Sequence, residues 1–300
     1  MTELSTFWHV WVSAIVIGSM IACGALIILT KKGQKFDEET DQTTGHSFDG
    51  IDELDNPLPK WWMYFFWSTI VFGFGYILIY GVGDWKGFGN WSSYGQWESE
   101  VAKAEEKYQP YYDKLTSMSI EELAKDEEAL ATGQRIFASN CSVCHGPTAS
   151  GSEGFPNLTD NDWLYGGSPA AIKQTILAGR NGAMPANGLK PDMTDEQRKD
   201  VVAHVLSLSG REGAGDATKG KALFAQACAA CHGADGSGNQ AVGAPNLTDN
   251  IWLYGGSEAK IEFTVRHGRA ARMPAWNEIL GEDKVHVVSA YVYSLSQDQE

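Results

Sequence analysis

Basic residues are scarce in this chain of 300 residues: 23 Lys and Arg stand against 38 Asp and Glu, giving a formal net charge of −15. A nucleic-acid-binding protein needs clustered Lys and Arg to neutralise phosphates, so this balance excludes nucleic acid as a partner. A Ser/His/Asp set, a metal triad and a phosphate-binding loop are also missing, and we therefore expect no catalytic site and no enzymatic activity. Wholesale disorder is excluded too, because 43% of the residues are hydrophobic and 11% are aromatic.

Charge is missing altogether from two long stretches, Val10 to Thr30 and Trp61 to Gly83. Twenty-one helical residues rise about 30 Å, which is the thickness of a bilayer core. Trp8, Trp11 and Trp85 lie at the ends of these stretches, where membrane helices carry an aromatic belt. No basic residue precedes the first stretch and no small-residue cleavage site follows it, which disfavours a signal peptide. We therefore predict two membrane-spanning helices rather than buried core helices.

Lysine placement predicts the orientation of these helices. The segment between them contains four lysines and the short N-terminus contains none; the four are Lys31, Lys32, Lys35 and Lys60. The positive-inside rule makes that segment cytoplasmic, because acidic residues contribute little to it. We therefore predict a multi-pass protein of a bacterial inner membrane, with both ends and everything after Gly83 in the periplasm.

Cysteine is sparse, and its arrangement is informative. Of five cysteines, Cys23 stands alone in an apolar stretch, where a buried inert thiol is expected. The others form two C-x-x-C-H motifs: Cys141, Cys144 and His145, then Cys228, Cys231 and His232. This motif is typical of c-type haem attachment, in which the two thiols bind the porphyrin covalently and the histidine binds the iron. Zinc ligation and a redox dithiol are the competing interpretations. Both are disfavoured, because a histidine follows each pair and both motifs lie outside the predicted cytoplasmic segment.

The second half of the chain repeats itself. The motif PNLTDN-x-WLYGGS occurs at 156–168 and again at 245–257, and the two C-x-x-C-H motifs are separated by a similar offset. Agreement over roughly 80 residues indicates duplicated modules. Each module has the pattern of a helix before the cysteines, a Pro-Asn-Leu loop and an apolar closing helix. We therefore predict two tandem class I cytochrome c domains, each with one covalently bound haem c.

A sixth iron ligand must come from later in each module. Met184 and Met273 occupy matching Met-Pro-Ala runs, 39 and 41 residues after the motif histidines. A thioether favours ferrous iron and raises the redox potential. Met118 and Met193 have no counterpart in the other module and are rejected. Either each methionine serves its own module, or two modules related by a pseudo-twofold axis exchange them, and the spacing does not decide between these pairings.

Other ionisable residues have less specific interpretations. Arg180 and Arg269 precede the two methionines at equivalent positions, where they could pair with haem propionates or form a docking site for an acidic partner. His204, His267 and His286 lie outside the ligand pattern. Residues 84–300 carry a net charge of −10, from 19 basic and 29 acidic residues, so an acidic face for a basic donor is plausible.

The predicted fold class is all-α, with two N-terminal transmembrane helices followed by the two cytochrome domains. In chain order the predicted segments are a periplasmic N-terminus (1–9), the first membrane helix (10–30), a cytoplasmic loop (31–60), the second membrane helix (61–83), a periplasmic linker (84–127), cytochrome domain 1 (128–210) and cytochrome domain 2 (211–300).

Several motifs together resemble the dihaem cytochrome c subunit (CcoP, subunit III, FixP-like) of cbb3-type cytochrome c oxidases. They are LDNPLPKWWMYFF entering the second helix, NWSSYGQWE after it, ALATGQRIFASNCSVCHG, and the doubled NLTDN-x-WLYGG. The resemblance covers most of the chain from Asp52 onward. One departure is Tyr80-Gly81-Val82-Gly83, where the family often has Tyr-Pro-Gly-Leu-Gly.

The resemblance implies a function and a set of partners. Electrons would come from a donor cytochrome c, cross the two haems, and pass to a monohaem subunit and then to the haem-copper subunit, which reduces dioxygen and pumps protons. It also implies that His145 and His232 hydrogen-bond backbone carbonyls, at Pro156 and Pro245. Two other functions remain as alternatives: a free-standing membrane-anchored dihaem carrier for another terminal reductase, and an enzyme or gas sensor with an open haem.

Overall fold

The computed structural model describes residues 5–33 and 37–297. Lys35, one of the lysines used to predict orientation, lies outside this range, as do residues 1–4 of the predicted N-terminus and residues 298–300 of domain 2. The chain divides into two compact units, 1–107 and 108–300. Within the described residues the helices are α1 (Thr6–Lys32), α2 (Lys60–Tyr80), α3 (Ser93–Thr116), α4 (Ile120–Leu123), α5 (Glu127–Asn140), α6 (Ser142–His145), α7 (Pro169–Ala178), α8 (Asp195–Leu208), α9 (Ala217–Ala227), α10 (Ala229–His232), α11 (Glu258–His267) and α12 (Asn277–Gln297).

The first unit contains the two apolar helices. Both α1 and α2 are long and apolar enough to cross a bilayer, and very little of either is buried inside the protein. The alternative of buried core helices is therefore wrong. They meet through small residues: a Cβ on Gly24 would lie 3.3 Å from the ring of Trp67, and one on Gly73 would lie 2.8 Å from Met20 Cε. Glycines allow this close approach where the hydrophobic effect gives no drive for helices to associate.

Helix α2 ends where the sequence departs from the family pattern. Gly81 takes φ 85°, a left-handed conformation suited to glycine, and its N–H donates to Ile77 O at 2.7 Å. The chain then folds back, with Phe88 N–H donating to Leu78 O at 2.8 Å. A Cβ at Gly81 would clash with the backbone at Trp85, so the turn depends on this glycine.

A hairpin that the sequence analysis did not predict lies between these helices. Strand β1 (Thr43–Phe48) pairs antiparallel with β2 (Ile51–Leu54) through a two-residue turn. Asp49 and Gly50 in that turn have φ 51° and 83°. Positive φ at both central residues is the hairpin turn whose twist matches the strands, and Asp-Gly is its usual sequence. The expectation of an all-α chain is therefore only partly right.

The second unit is mostly helical, with one ladder at its centre. Strand β3 (Arg180–Met184) pairs antiparallel with β4 (Arg269–Met273), and the Cα partners run from Arg180 with Met273 to Met184 with Arg269. Each strand lies just before a Met-Pro-Ala run. The equivalent segments of the two sequence repeats therefore meet each other directly.

Packing around this ladder exchanges the closing helices of the two repeats. Helix α8, from the first repeat, packs on α9 and α11 of the second, while α12 packs on α5 and α7 of the first. Two separate cores result. One buries Phe137 with Val285 and Val288, and the other buries Phe224 with Val201. The packing units therefore differ from the sequence repeats: residues 180–267 form one continuous unit, and the other combines the segments before and after it.

The linker also joins the second unit. Leu115 of α3 and Leu123 of α4 pack with Val287 of α12 in a third core. Ser119 and Glu122 form a reciprocal capping box at the start of α4. The helix it begins stops at Leu123, however, and α5 starts again with Asp126 as its own N-cap, accepting from Ala129 N–H at 2.8 Å.

Candidate haem-binding centre

One largely apolar cavity of about 660 Å³ occupies the second unit. Its wall includes every ligand proposed from the sequence, namely Cys141, Cys144, His145, Met184, Cys228, Cys231, His232 and Met273. Volumes of ~300–1,000 Å³ are typical of cofactor sites. The fold therefore brings the two motifs and both methionines to a common space, although they are far apart in sequence.

Each pair of thiols lies at a junction between two helices. Helix α5 ends at Asn140, and α6 then carries the rest of the first motif, with Cys144 N–H donating to Cys141 O at 3.1 Å. In the second motif Cys231 N–H donates to Cys228 O at the same distance. This single turn places the two sulfurs of each pair on one side, as attachment to one porphyrin requires.

The chemistry of the buried thiols argues against the competing interpretations. Burial, with a smaller effect of the neighbouring thiol, raises the pKa of Cys141 and that of Cys228 to about 11. A redox dithiol instead needs a lowered thiol pKa. Among the described residues, no group of three or more His, Cys, Asp or Glu side chains is placed to hold a metal ion, so a zinc site of that kind has no ligand set there.

The two motif histidines are oriented by backbone carbonyls. His145 Nδ1 lies 3.0 Å from Pro156 O, and His232 Nδ1 lies 3.2 Å from Pro245 O. Because a carbonyl only accepts, each Nδ1 carries the proton and each Nε2 keeps its lone pair for a metal. Burial also lowers the pKa of His232, which favours the neutral imidazole that binds iron.

The methionines cross to the opposite repeat. Met273 packs against the core that also contacts Cys141, and Met184 packs against the core that contacts Cys228. The β3–β4 ladder produces this crossing, since each strand carries its methionine past the other strand. Each methionine therefore packs in the same core as the cysteine motif of the opposite repeat. The rejected Met193 is buried in a core, and Met118, within the linker, packs against the third core; neither lines the cavity.

Two glycines make the crossing possible. Gly179 has φ 69°, and a Cβ there would lie 2.5 Å from Met273 O. Gly268 has φ 72°, and its Cβ would meet Met184 O. Each glycine of one repeat thus contacts the backbone of the methionine from the other, where a larger residue would displace it.

Two arginines are held beside the ladder by partners that the sequence analysis missed. Arg180 Nε donates to Thr175 Oγ1 at 2.9 Å, and its guanidinium lies 4.7 Å from the Tyr165 ring centre. Arg269 repeats this arrangement with Thr264 at 3.0 Å and Tyr254 at 4.1 Å. The sequence could have revealed these partners. Tyr165 and Tyr254 belong to the doubled WLYGG motif, and Thr175 and Thr264 are separated by the same number of residues as the two copies of that motif.

The cavity suits a haem in one further respect. Trp252 lines it, and the indole Nε1–H is buried without a hydrogen-bond partner among the described residues. Buried donors are seldom left unpaired, so this one indicates an acceptor group in the cavity. With an apolar wall, two arginines, paired thiols and oriented histidines, the residues present fit a haem at each motif.

The remaining histidines lie away from the cavity. His204 is buried against Phe224, with ring centres 5.3 Å apart, and burial lowers its pKa. His286 Nε2 lies 3.0 Å from Met118 O, and His267 packs on Phe263. None of the three lines the cavity, in agreement with their place outside the ligand pattern.

Two family models match this chain. The N-terminal domain of cytochrome oxidase-cbb3, FixP, matches residues 40–86. The model of cytochrome c oxidase, cbb3-type, subunit III matches twice, at 128–205 and 215–292. The first match spans the hairpin and α2, and the second covers each sequence repeat once.

Similar full-length proteins agree. The chain is 46% identical to the cbb3-type cytochrome c oxidase subunit CcoP of Rubrivivax gelatinosus, over 97% of this chain and 95% of that protein. It is 41% identical to the subunit FixP of Bradyrhizobium sp. (strain ORS 278) and 38% identical to the subunit CcoP of Cereibacter sphaeroides, each over 84% of this chain and 94% of the relative. The resemblance drawn from the motifs is thereby confirmed, and the chain belongs to the CcoP/FixP family of cbb3-type cytochrome c oxidase subunits.

Proposed function

We propose that this chain is the electron-entry subunit of a cbb3-type oxidase, and that it has no catalytic site of its own. The observation that carries the proposal is the single cavity with two complete ligand sets, each with two thiols, one oriented histidine and one methionine. The names of the relatives support the oxidase, and the paired sets support passage of electrons through two haems c.

The exchanged packing supports an exchanged set of ligands. Cys141 and Cys144 would attach the first haem, and His145 and Met273 would hold its iron. Cys228 and Cys231 would attach the second haem, and His232 and Met184 would hold its iron. When bound, each haem supplies reversible one-electron exchange between ferric and ferrous iron.

This chain's residues suit it to outer-sphere electron transfer. With one histidine and one methionine holding each iron, no site would be left for dioxygen or peroxide. The carbonyls of Pro156 and Pro245 orient the rings of the motif histidines, and the ladder positions the methionines. A ligand set that cannot move keeps reorganisation small when the charge of the iron changes.

The route and the location follow from the family and the helices. We infer that a donor cytochrome c reduces this chain, which passes electrons to a monohaem cytochrome c subunit and then to the haem-copper subunit. Helices α1 and α2 anchor the chain in a bacterial inner membrane. Lys31 and Lys32 lie at the C-terminal end of α1, and Lys60 lies at the N-terminal end of α2. Lysines favour the cytoplasmic side, which supports a periplasmic location for the cytochrome unit that follows α2.

Purification of a tagged chain from membranes in mild detergent tests the function. Reduced-minus-oxidised spectra should show haem b together with haem c, and the preparation should take up oxygen when a cytochrome c donor is reduced. Haem c alone, with no oxygen uptake and no large membrane subunit, would instead support the free-standing carrier. Carbon monoxide binding to the reduced haems of the isolated chain would support the open-haem alternative.

A further inference from the structure

The β1–β2 hairpin is exposed on all sides within the structure. Its ten strand residues are all exposed, including Phe48 at 70% and Ile51 at 74%. These two are direct cross-strand partners, so their side chains lie together on one face. An isolated two-stranded hairpin is marginally stable in water, and one with paired apolar side chains in solvent needs a surface to cover it.

The hairpin segment is also uniformly acidic. Residues 37–59 contain eight acidic side chains and no Lys or Arg; the acids are Asp37, Glu38, Glu39, Asp41, Asp49, Asp52, Glu53 and Asp55. None of the eight forms an ion pair with another described residue. The contacts of Glu53 include a hydrogen bond from Thr44 Oγ1 at 3.1 Å, which braces the hairpin and leaves the charge unneutralised.

Charge selects among the surfaces that could cover the hairpin. The cytoplasmic leaflet of a membrane is anionic and would repel it. A second copy of this chain would bring the same eight acids against it. Cytoplasmic loops of membrane proteins carry excess Lys and Arg, so the loops of a membrane-embedded neighbour have both the required charge and the required position beside α1 and α2.

We propose that this hairpin docks on a basic cytoplasmic surface of the haem-b-containing membrane subunit. Phe48 and Ile51 form the apolar centre of the contact, and the surrounding carboxylates pair with Lys and Arg of the partner. The proposal rests on the proposed function, because that function places the chain beside this subunit and the hairpin in the cytoplasm. The hairpin thereby fixes the position of this chain on the haem-b subunit from the cytoplasmic side of the membrane, opposite the haems.

Two variants of the full-length tagged chain test the docking, each purified from membranes at rising salt. The first is Asp52→Lys with Asp55→Lys, whose carboxylates form no ion pair with another described residue. The second is Phe48→Ser with Ile51→Ser. The matched control is Glu105→Lys with Glu106→Lys, which makes the same change in charge on the exposed surface of α3. The readout is haem b recovered per haem c, since the haem c content reports that the chain itself has folded.

Both hairpin variants should lose several-fold more haem b than the control, with the charge variant failing at the lowest salt. A benzophenone amino acid placed at position 48 should crosslink to the haem-b subunit in intact membranes. Recovery of haem b equal to the control, or crosslinks only to lipid or to a second copy, would overturn the docking and leave the oxidase function standing. Absence of haem b from the native chain would overturn both.

Discussion

At the scale of single residues, the main proposal is that each methionine binds the iron at the motif of the opposite repeat. Met184 belongs to the first repeat but packs in the core that contacts the second motif. Met273 belongs to the second repeat but packs in the core that contacts the first motif. Axial ligands set haem potentials over ~0.8 V in proteins, so replacing one sulfur by an imidazole should be visible at one haem alone.

Met184→His is expected to lower the potential of the haem on Cys228 and Cys231 by ~0.1 V or more, because imidazole favours ferric iron. Redox titration is clearest in a Cys141→Ala, Cys144→Ala background that retains only this haem. Met273→His in the same background is the control and should leave the potential unchanged. A shift with Met273→His and none with Met184→His would support pairing within each repeat.

The arginines can be assigned in the same way. A unit charge ~10 Å from an iron, at an effective dielectric of ~20, contributes about 1.7 kcal/mol. If Arg180 pairs with a propionate, Arg180→Gln should lower the potential of the haem on Cys141 and Cys144 by up to ~70 mV, since the lost positive charge had disfavoured ferric iron. If Arg180 instead forms a docking site, the titration will be unchanged and only the rate of reduction by the donor will alter.

At the scale of elements, the ladder is what separates this fold from two independent cytochromes. Strands β3 and β4 run past each other through five paired positions, from Arg180 with Met273 to Met184 with Arg269. Gly179 and Gly268 directly precede β3 and β4, the two strands that cross. A disturbance at either glycine therefore reaches the methionine of the other repeat.

Gly179→Ala should weaken the bond between Met273 and its iron, because the new Cβ would lie 2.5 Å from Met273 O. The expected result is carbon monoxide binding to the reduced haem on Cys141 and Cys144, with the other haem unaffected. Gly210→Ala is a matched control, since Gly210 also has positive φ, at 73°, but has no atom within 4 Å of its would-be Cβ. Positive φ strains an alanine in both variants, so equal carbon monoxide binding would mean that the contact with Met273 O is unimportant.

At the scale of the whole molecule, the exchange makes residues 180–267 a continuous unit with its own core, motif and methionine. This segment alone, exported to the periplasm, should acquire one covalent haem and remain closed to carbon monoxide. The same segment with Met184→Ala should acquire haem and bind carbon monoxide. A segment that loses its haem, or binds carbon monoxide with Met184 present, would show that the unit needs its neighbour.

Net charge acts over the whole molecule as well. Residues 84–300 carry a net charge of −10, so a basic donor should be attracted over several ångströms and electron transfer should slow as salt is added. Stopped-flow reduction between ~0.01 and ~0.3 M salt, across which the screening length falls from about 30 Å to below 10 Å, measures this. A rate independent of salt would remove the acidic face as a docking determinant.

The sequence by itself determined the local chemistry. Two C-x-x-C-H motifs, two Met-Pro-Ala runs and two uncharged stretches can be read from spacing and composition, and the structure places all eight proposed ligands around one cavity. These features depend on neighbours in the chain, such as a cysteine one turn before a histidine, which is why periodicity and motif spacing suffice.

Only the tertiary structure brings each methionine into the core that contacts the motif of the opposite repeat. Repeats that share the same motifs offer each strand and closing helix two similar partners, and local propensity cannot distinguish them. The ladder between β3 and β4, and the packing of α12 on α5, select the exchanged partner. The hairpin at Asp49-Gly50 was missed for a different reason: its strands are short and fully exposed, so they lack the hydrophobic alternation by which strands are found in sequence.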